Sequence, residues 1–98
     1  MNGTFWASAT AQLVIAAIAK RMIEGGLLDM ADRYIVQTKA SDVNLWSRLA
    51  AALADEGRIE KAIERQERAV KVAEPDAKAE HRRRLEQYRA ASRRKADQ

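Results

Sequence analysis

Gly26 and Gly57 lie 31 residues apart, and each follows a stretch whose apolar residues recur at spacings of three and four. Before Gly26 come Ile15, Ile18, Ala19 and Met22; in the same register before Gly57 come Trp46, Leu49, Ala50 and Leu53. That spacing puts side chains on one face of a helix. A glycine just past such a face stops the helix and permits a sharp reversal. The register continues beyond the turn, with Ala31 matching Ala62 and Ile35 matching Gln66. The small alanines let two antiparallel helices approach closely. A helix–turn–helix unit used twice constrains the fold to all-α, an antiparallel helical-hairpin stack of the solenoid kind.

About five helices are predicted. The first covers 5–23 and ends at Gly25-Gly26. The second covers 28–38, with Leu28, Ala31, Ile35 and Thr38 on one face. Ser41 or Asp42 caps the third, which carries Leu45, Trp46, Leu49, Ala50 and Leu53 and ends at Gly57. The fourth follows at once, its stripe formed by Ile59, Ala62, Ile63, Gln66, Ala69, Val70 and Ala73, until Pro75 breaks it. Asp76 is the expected cap of a fifth helix over 77–95, with Ala77, His81, Leu85, Tyr88 and Ser92 on its inner side. The expected organisation is one domain over 1–98: a degenerate hairpin at 5–42, a clearer one at 43–76, and a capping helix at 77–95.

The unit at 43–76 resembles a tetratricopeptide repeat. Trp46, Leu49, Ala50, Leu53, Gly57, Ala62 and Ala69 fall on that family's signature positions at its usual spacings. Gln66 stands where the family has an aromatic residue or leucine, and Pro75 comes one position late. The unit at 12–42 is a degenerate copy, with Ile15 in place of the tryptophan, Thr38 in place of the last alanine, and a linker three residues short. The run from Leu49 through Tyr88 is also similar to the repeat segment that follows thioredoxin-like domains in some bacterial proteins. With no cysteine in the chain, no redox activity comes with that likeness.

The resemblance implies a non-catalytic protein–protein interaction module. Its concave surface, built from the first helix of each pair, would hold a peptide or partner helix. On it the expected contacts are Asn44, Ser47 and Arg48, with Gln12 as their approximate counterpart in the first helix. Phe5 and Trp6 have no repeat slot, and aromatics near a chain end are frequent contact residues.

Charge is uneven. The chain carries +4 in all, but the last 22 residues hold eight cations and three anions, leaving −1 for residues 1–76. Arg82, Arg83, Arg84, Arg89, Arg93, Arg94 and Lys95 form the basic patch. Such a comb could bind nucleic acid or an acidic partner through phosphate-type contacts. Glu80, Glu86 and Asp97 interrupt it, and a solvated helix ending the stack is the simpler role.

Chemistry is largely excluded. No cysteine and a single histidine, His81, leave no thiolate or multi-histidine metal site, so no metal and no cofactor are expected. Gly25-Gly26 lacks the Lys-Ser/Thr of a phosphate loop, and no glycines frame Ser8, Ser41, Ser47 or Ser92 as a nucleophile elbow. Asp29, Asp32, Asp55 and Glu56 lie beside turns, where acids serve helix N-termini or remain solvated. His81 is expected to be half-buried against the fourth helix. The chain is therefore expected not to be an enzyme.

The first helix is apolar on every face from Leu13 to Ile18. At the end of a stack it meets neighbours on one side only, so a second copy, an upstream domain or a membrane surface would have to cover the other. A homo-oligomer or a portion of a longer repeat protein is the favoured expectation. Ser8, Thr10 and Gln12 interrupt the apolar run and no cation precedes it, which disfavours a membrane span or a secretory signal. The absence of cysteine suits a cytoplasmic location.

Overall fold

The protein is described by a computed structural model over residues 8–97; Phe5 and Trp6 lie outside the described residues. Five helices are present among them: α1 (Ala9–Glu24), α2 (Leu28–Thr38), α3 (Val43–Asp55), α4 (Ile59–Val72) and α5 (Lys78–Ala96). Helix α1 begins at Ala9, and residues 5–7 of the predicted first helix lie outside the described residues. The Ser8 hydroxyl caps it, accepting the Ala11 N–H at 3.0 Å. Neighbouring helices pack as consecutive hairpins, with α3 also against α1, in a slab of 50 × 31 × 19 Å. The expected all-α stack is what the chain forms.

The repeat is reproduced down to individual hydrogen bonds. After α1, Gly26 N–H donates to Ile23 O and Leu27 N–H to Met22 O; after α3, Gly57 N–H donates to Ala54 O and Arg58 N–H to Leu53 O. Both glycines are left-handed, at φ 80° and 82°. This pairing satisfies the last helical carbonyls and turns the chain in three residues. Helix α2 ends in the same way without glycine, because Lys39 takes φ 52° and Ala40 N–H reaches Ile35 O. Nothing in the composition around Lys39 announces this turn.

The core lies between the paired helices and is centred on α3. Ile15, Ala19, Ala31, Ile35, Trp46, Leu49, Ala50, Leu53, Ala62 and Ala69 are almost wholly enclosed. Alanines at matching positions, Ala19 with Ala50 and Ala31 with Ala62, allow the close approach the sequence predicts. The Trp46 indole N–H donates to Ala40 O at 2.7 Å, tying the α2–α3 loop to the core. The Arg68 guanidinium lies over its ring, 4.9 Å from the centroid.

Polar contacts join the successive hairpins. Asp32 is buried rather than serving the start of α2, and Arg65 of α4 grips its carboxylate at 2.6 and 3.2 Å. Lys61 adds an ion pair at 3.5 Å, and Arg58 holds Asp29 at 2.8 Å. Burial pushes the Asp32 carboxyl up, but Arg65 and Lys61 outweigh it and hold the group below its ordinary value. Gln66, fully buried, donates to the His81 backbone carbonyl at 2.9 Å and so latches α5 to α4. His81 is itself buried, more completely than its sequence position predicts.

Asp76 does not cap α5. Residues 75–77 form a turn in which Ala77 N–H donates to Glu74 O, and α5 begins at Lys78 with no side-chain cap. The ammonium of Lys78 instead turns back to Val70 O at 2.7 Å, placing a cation on the open carbonyls at the end of α4.

Two outcomes are expected. Gly57→Ala, with open space around the added methyl, lowers stability in urea by about 1–2 kcal/mol through the left-handed φ alone. Asp32→Asn costs roughly 2–3 kcal/mol at neutral pH, since Arg65 and Lys61 lose their counter-charge. Because the folded Asp32 pKa lies below its unfolded value, this contribution is present at neutral pH and lost as pH falls below about 4. The gap between wild type and Asp32→Asn in urea melts therefore narrows as pH falls below about 4.

Candidate docking groove

Asn44, Ser47, Arg48 and Ala51 occupy successive turns on one side of α3, so helical spacing alone brings the three predicted contacts together. With Arg84 of α5 they line an open depression of about 330 Å³. A second depression of about 220 Å³ is bounded by Ala16 and Lys20 of α1 with Asp42, Asn44, Leu45 and Arg48. Asn44 and Arg48 line both. The two thus form one shallow groove running from α1 across α3 to α5.

The walls of the groove are unevenly charged. Arg84 donates to the Ser47 hydroxyl at 2.7 Å, which satisfies that buried oxygen and draws the guanidinium over α3. Glu80 lies 3.6 Å away from it on the solvent side. Lys20 and Arg48 form no ion pair among the described residues, and both are exposed. The only acid in the lining, Asp42, accepts the Asn44 N–H at 2.9 Å as the cap of α3. Three cations therefore border the groove against one carboxylate already engaged by backbone.

Gln12 is placed differently. Its Oε1 accepts the Ser41 N–H at 2.9 Å, so part of its capacity fastens the α2–α3 loop to α1. Phe5 and Trp6 lie outside the described residues. Lys20 and Arg84 are groove residues that the sequence reading missed as such. Lys20 read as the end of an apolar run, and Arg84 as one member of the basic patch. Neither carries a local signal of the groove, which is made by α1 and α5 crossing beside α3.

The basic patch is dispersed around α5. Arg83 pairs with Glu80 at 2.8 Å, and Arg89 with Glu86 at 2.8 Å and Glu67 at 3.1 Å. Arg84 turns into the groove, while Lys95 lies 3.5 Å from Gly57 O. Arg82, Arg93 and Arg94 are exposed without an ion pair among the described residues. Tyr88, on the inner side of α5, has its phenol pushed up by burial.

No group of three or more His, Cys, Asp or Glu side chains among the described residues is arranged to hold a metal ion. Nor is any described helix long and apolar enough to cross a membrane. Comparison with known proteins returns no matching family model, no matching curated protein and no matching solved structure.

Gln12→Ala is expected to cost about 0.5–1.5 kcal/mol in urea melts, the worth of a hydrogen bond that holds a loop. Ser47→Ala is expected to free the Arg84 guanidinium, whose Nη1 donates to the Ser47 hydroxyl, read in NMR spectra as collapse of distinct Nη resonances into one averaged signal.

Proposed function

We propose that the protein is a non-catalytic protein-interaction module of the tetratricopeptide kind, whose groove docks an extended acidic peptide. One observation carries this reading: Lys20, Arg48 and Arg84 border an open groove floored by Asn44, Ser47 and Ala51. An extended segment passing between α1 and α5 would meet the three cations in turn. The free amide of Asn44 can both donate to and accept from its backbone. Glutamate or aspartate side chains, or a terminal carboxylate, supply the matching charge. The low relief of the groove favours a linear segment over a small molecule, which would need a deeper apolar pocket.

The kinship with tetratricopeptide repeats rests on the paired glycine turns and on Trp46 at the centre of the second hairpin. Such arrays present the first helix of each hairpin to a ligand, and here those helices are α1 and α3.

The rival is nucleic-acid binding through α5. Arg82, Arg93 and Arg94 favour it, as three exposed cations without an ion pair among the described residues. The acids on either side of them, and the absence of an interleaved aromatic platform, weaken it.

Fluorescence anisotropy with labelled acidic, neutral and basic peptides and with a duplex oligonucleotide separates the two. The expected result is selective binding of the acidic peptide that weakens with salt, and at least about tenfold weaker binding by Arg48→Glu. Equal affinity for all peptides, or an Arg48→Glu variant that binds as wild type, would refute the groove. Oligonucleotide binding lost in Arg93→Glu/Arg94→Glu, with no peptide bound, would establish the rival.

A further inference from the structure

The large apolar side chains exposed among the described residues all belong to the first hairpin: Leu13 at 72%, Val14 at 51%, Ile18 at 41%, Leu27 and Met30 at 51%, and Val36 at 40%. Register explains most of them. Val14 and Ile18 correspond to Leu45 and Leu49, which are 3% and 0% exposed because the first hairpin covers them. Leu27 and Met30 correspond to Arg58 and Lys61, whose side chains reach Asp29 and Asp32 of the preceding hairpin. The positions that seat the second hairpin on the first are therefore repeated, in apolar form, on the outward side of the first hairpin, where they are exposed among the described residues. Met22 joins the two helices into one surface, since it lines a depression of about 330 Å³ with Met30 and Tyr34.

We propose that this α1–α2 end face is the interface of a homodimer in which a second copy meets it about a two-fold axis. Three observations choose that occupant. The first is area: the exposed parts of Leu13, Val14, Ile18, Leu27 and Met30 come to roughly 500 Å² of side chain. Paired with itself, the face buries roughly 1,000 Å², about the lower limit for a specific interface.

The second is the opposite end of the stack. The outer side of α5 carries Arg82, Arg83, Arg93 and Arg94 and no large exposed apolar residue. A head-to-tail contact would strip water from these guanidiniums, of which Arg83 alone has an ion-pair partner among the described residues, Glu80, against an apolar face. The same patch on both partners avoids this and closes the assembly at two.

The third is charge along α1. Ser8 to Ala19 is uncharged, and Lys20 and Arg21 stand at one end. Parallel α1 helices would set these cations against their copies. Antiparallel α1 helices place them beside the partner's uncharged half, with Ala17 near the axis and Glu24 far from it. Lys20 borders the docking groove as well, but none of Leu13, Val14, Ile18, Leu27 and Met30 lines it, so this proposal does not rest on the peptide reading.

The test is sedimentation of the full chain between 1 and about 200 μM, a range that spans ordinary dimer affinities. A saturating monomer–dimer equilibrium is expected. Val14→Glu/Ile18→Glu should weaken it at least roughly 100-fold with unchanged helical circular dichroism. Val36→Glu, in line with Asp29 and Asp32 on the other side of α2, should leave it intact. A monomer throughout, an open-ended series of larger species, or a Val14→Glu/Ile18→Glu dimer of wild-type affinity would each overturn the proposal. Because the chain has no cysteine, oxidation of single-cysteine variants checks the geometry without charged substitutions. Ala17→Cys should cross-link to its copy and Glu24→Cys should not. Cross-linking at both positions, at neither, or at Glu24→Cys alone contradicts the antiparallel two-fold.

Discussion

Among the described residues, helix α3 is the only helix that packs against α1, α2 and α4 alike, and Trp46 is its fulcrum. The ring is completely enclosed, its N–H holds Ala40 O, and Arg68 closes the face above it. An indole this deep is among the largest single contributors to a small core, and truncating one typically costs about 3–5 kcal/mol. Domains of this size have only about 5–15 kcal/mol in total. The rest of the molecule is arranged around that one helix. Helix α4 folds back on it through the Gly57 turn, α2 approaches through the Trp46–Ala40 bond, and α1 lies across its side. The groove is the strip of α3 that these neighbours leave uncovered.

The seams farther from α3 are made differently. Between α2 and α4 the contact is ionic, through Asp32, Arg65 and Lys61. Between α4 and α5 it is a latch from Gln66 to the His81 carbonyl, with Leu85 as the main apolar contribution from α5. Gln66 Oε1 is buried without a partner among the described residues, so this seam carries a desolvation cost that a leucine would not. Geometry accounts for the choice: the Gln66 amide nitrogen reaches the His81 carbonyl in the first turn of α5, a bond that a leucine could not make. Polar seams fix the angle at which hairpins meet, while contributing less than α3 to holding them together.

The hairpins were legible because helix periodicity and glycine stops are local signals, each repeated once. The paired turns at Gly26 and Gly57 follow from that pattern, and so does the enclosure of Trp46. Lys39 was not legible, since a left-handed lysine leaves no compositional mark. Asp76 misled because an acid before a helix is a good cap only when the backbone there is extended, and Pro75 begins a turn instead. Asp32 looked like a helix-start acid, and only the position of Arg65, 33 residues later, shows it to be a buried partner. Within the groove, Asn44, Ser47 and Arg48 share a helix and could be found together. Lys20 and Arg84 come from helices whose crossing beside α3 no local pattern encodes. The cations of the basic patch spread around α5 for the converse reason, since neighbours in sequence diverge around a helix.

If α3 organises the molecule, protection from solvent should be graded around it. Native-state amide hydrogen exchange measures this directly, because each amide reports the free energy of the opening that exposes it. The slowest exchange is expected at residues 46–53 of α3 and 62–69 of α4. Amides in the outer half of α5 and the first turns of α1 should exchange at least roughly 100-fold faster through local opening. Uniform protection across all five helices, or α5 outlasting α3, would contradict the account.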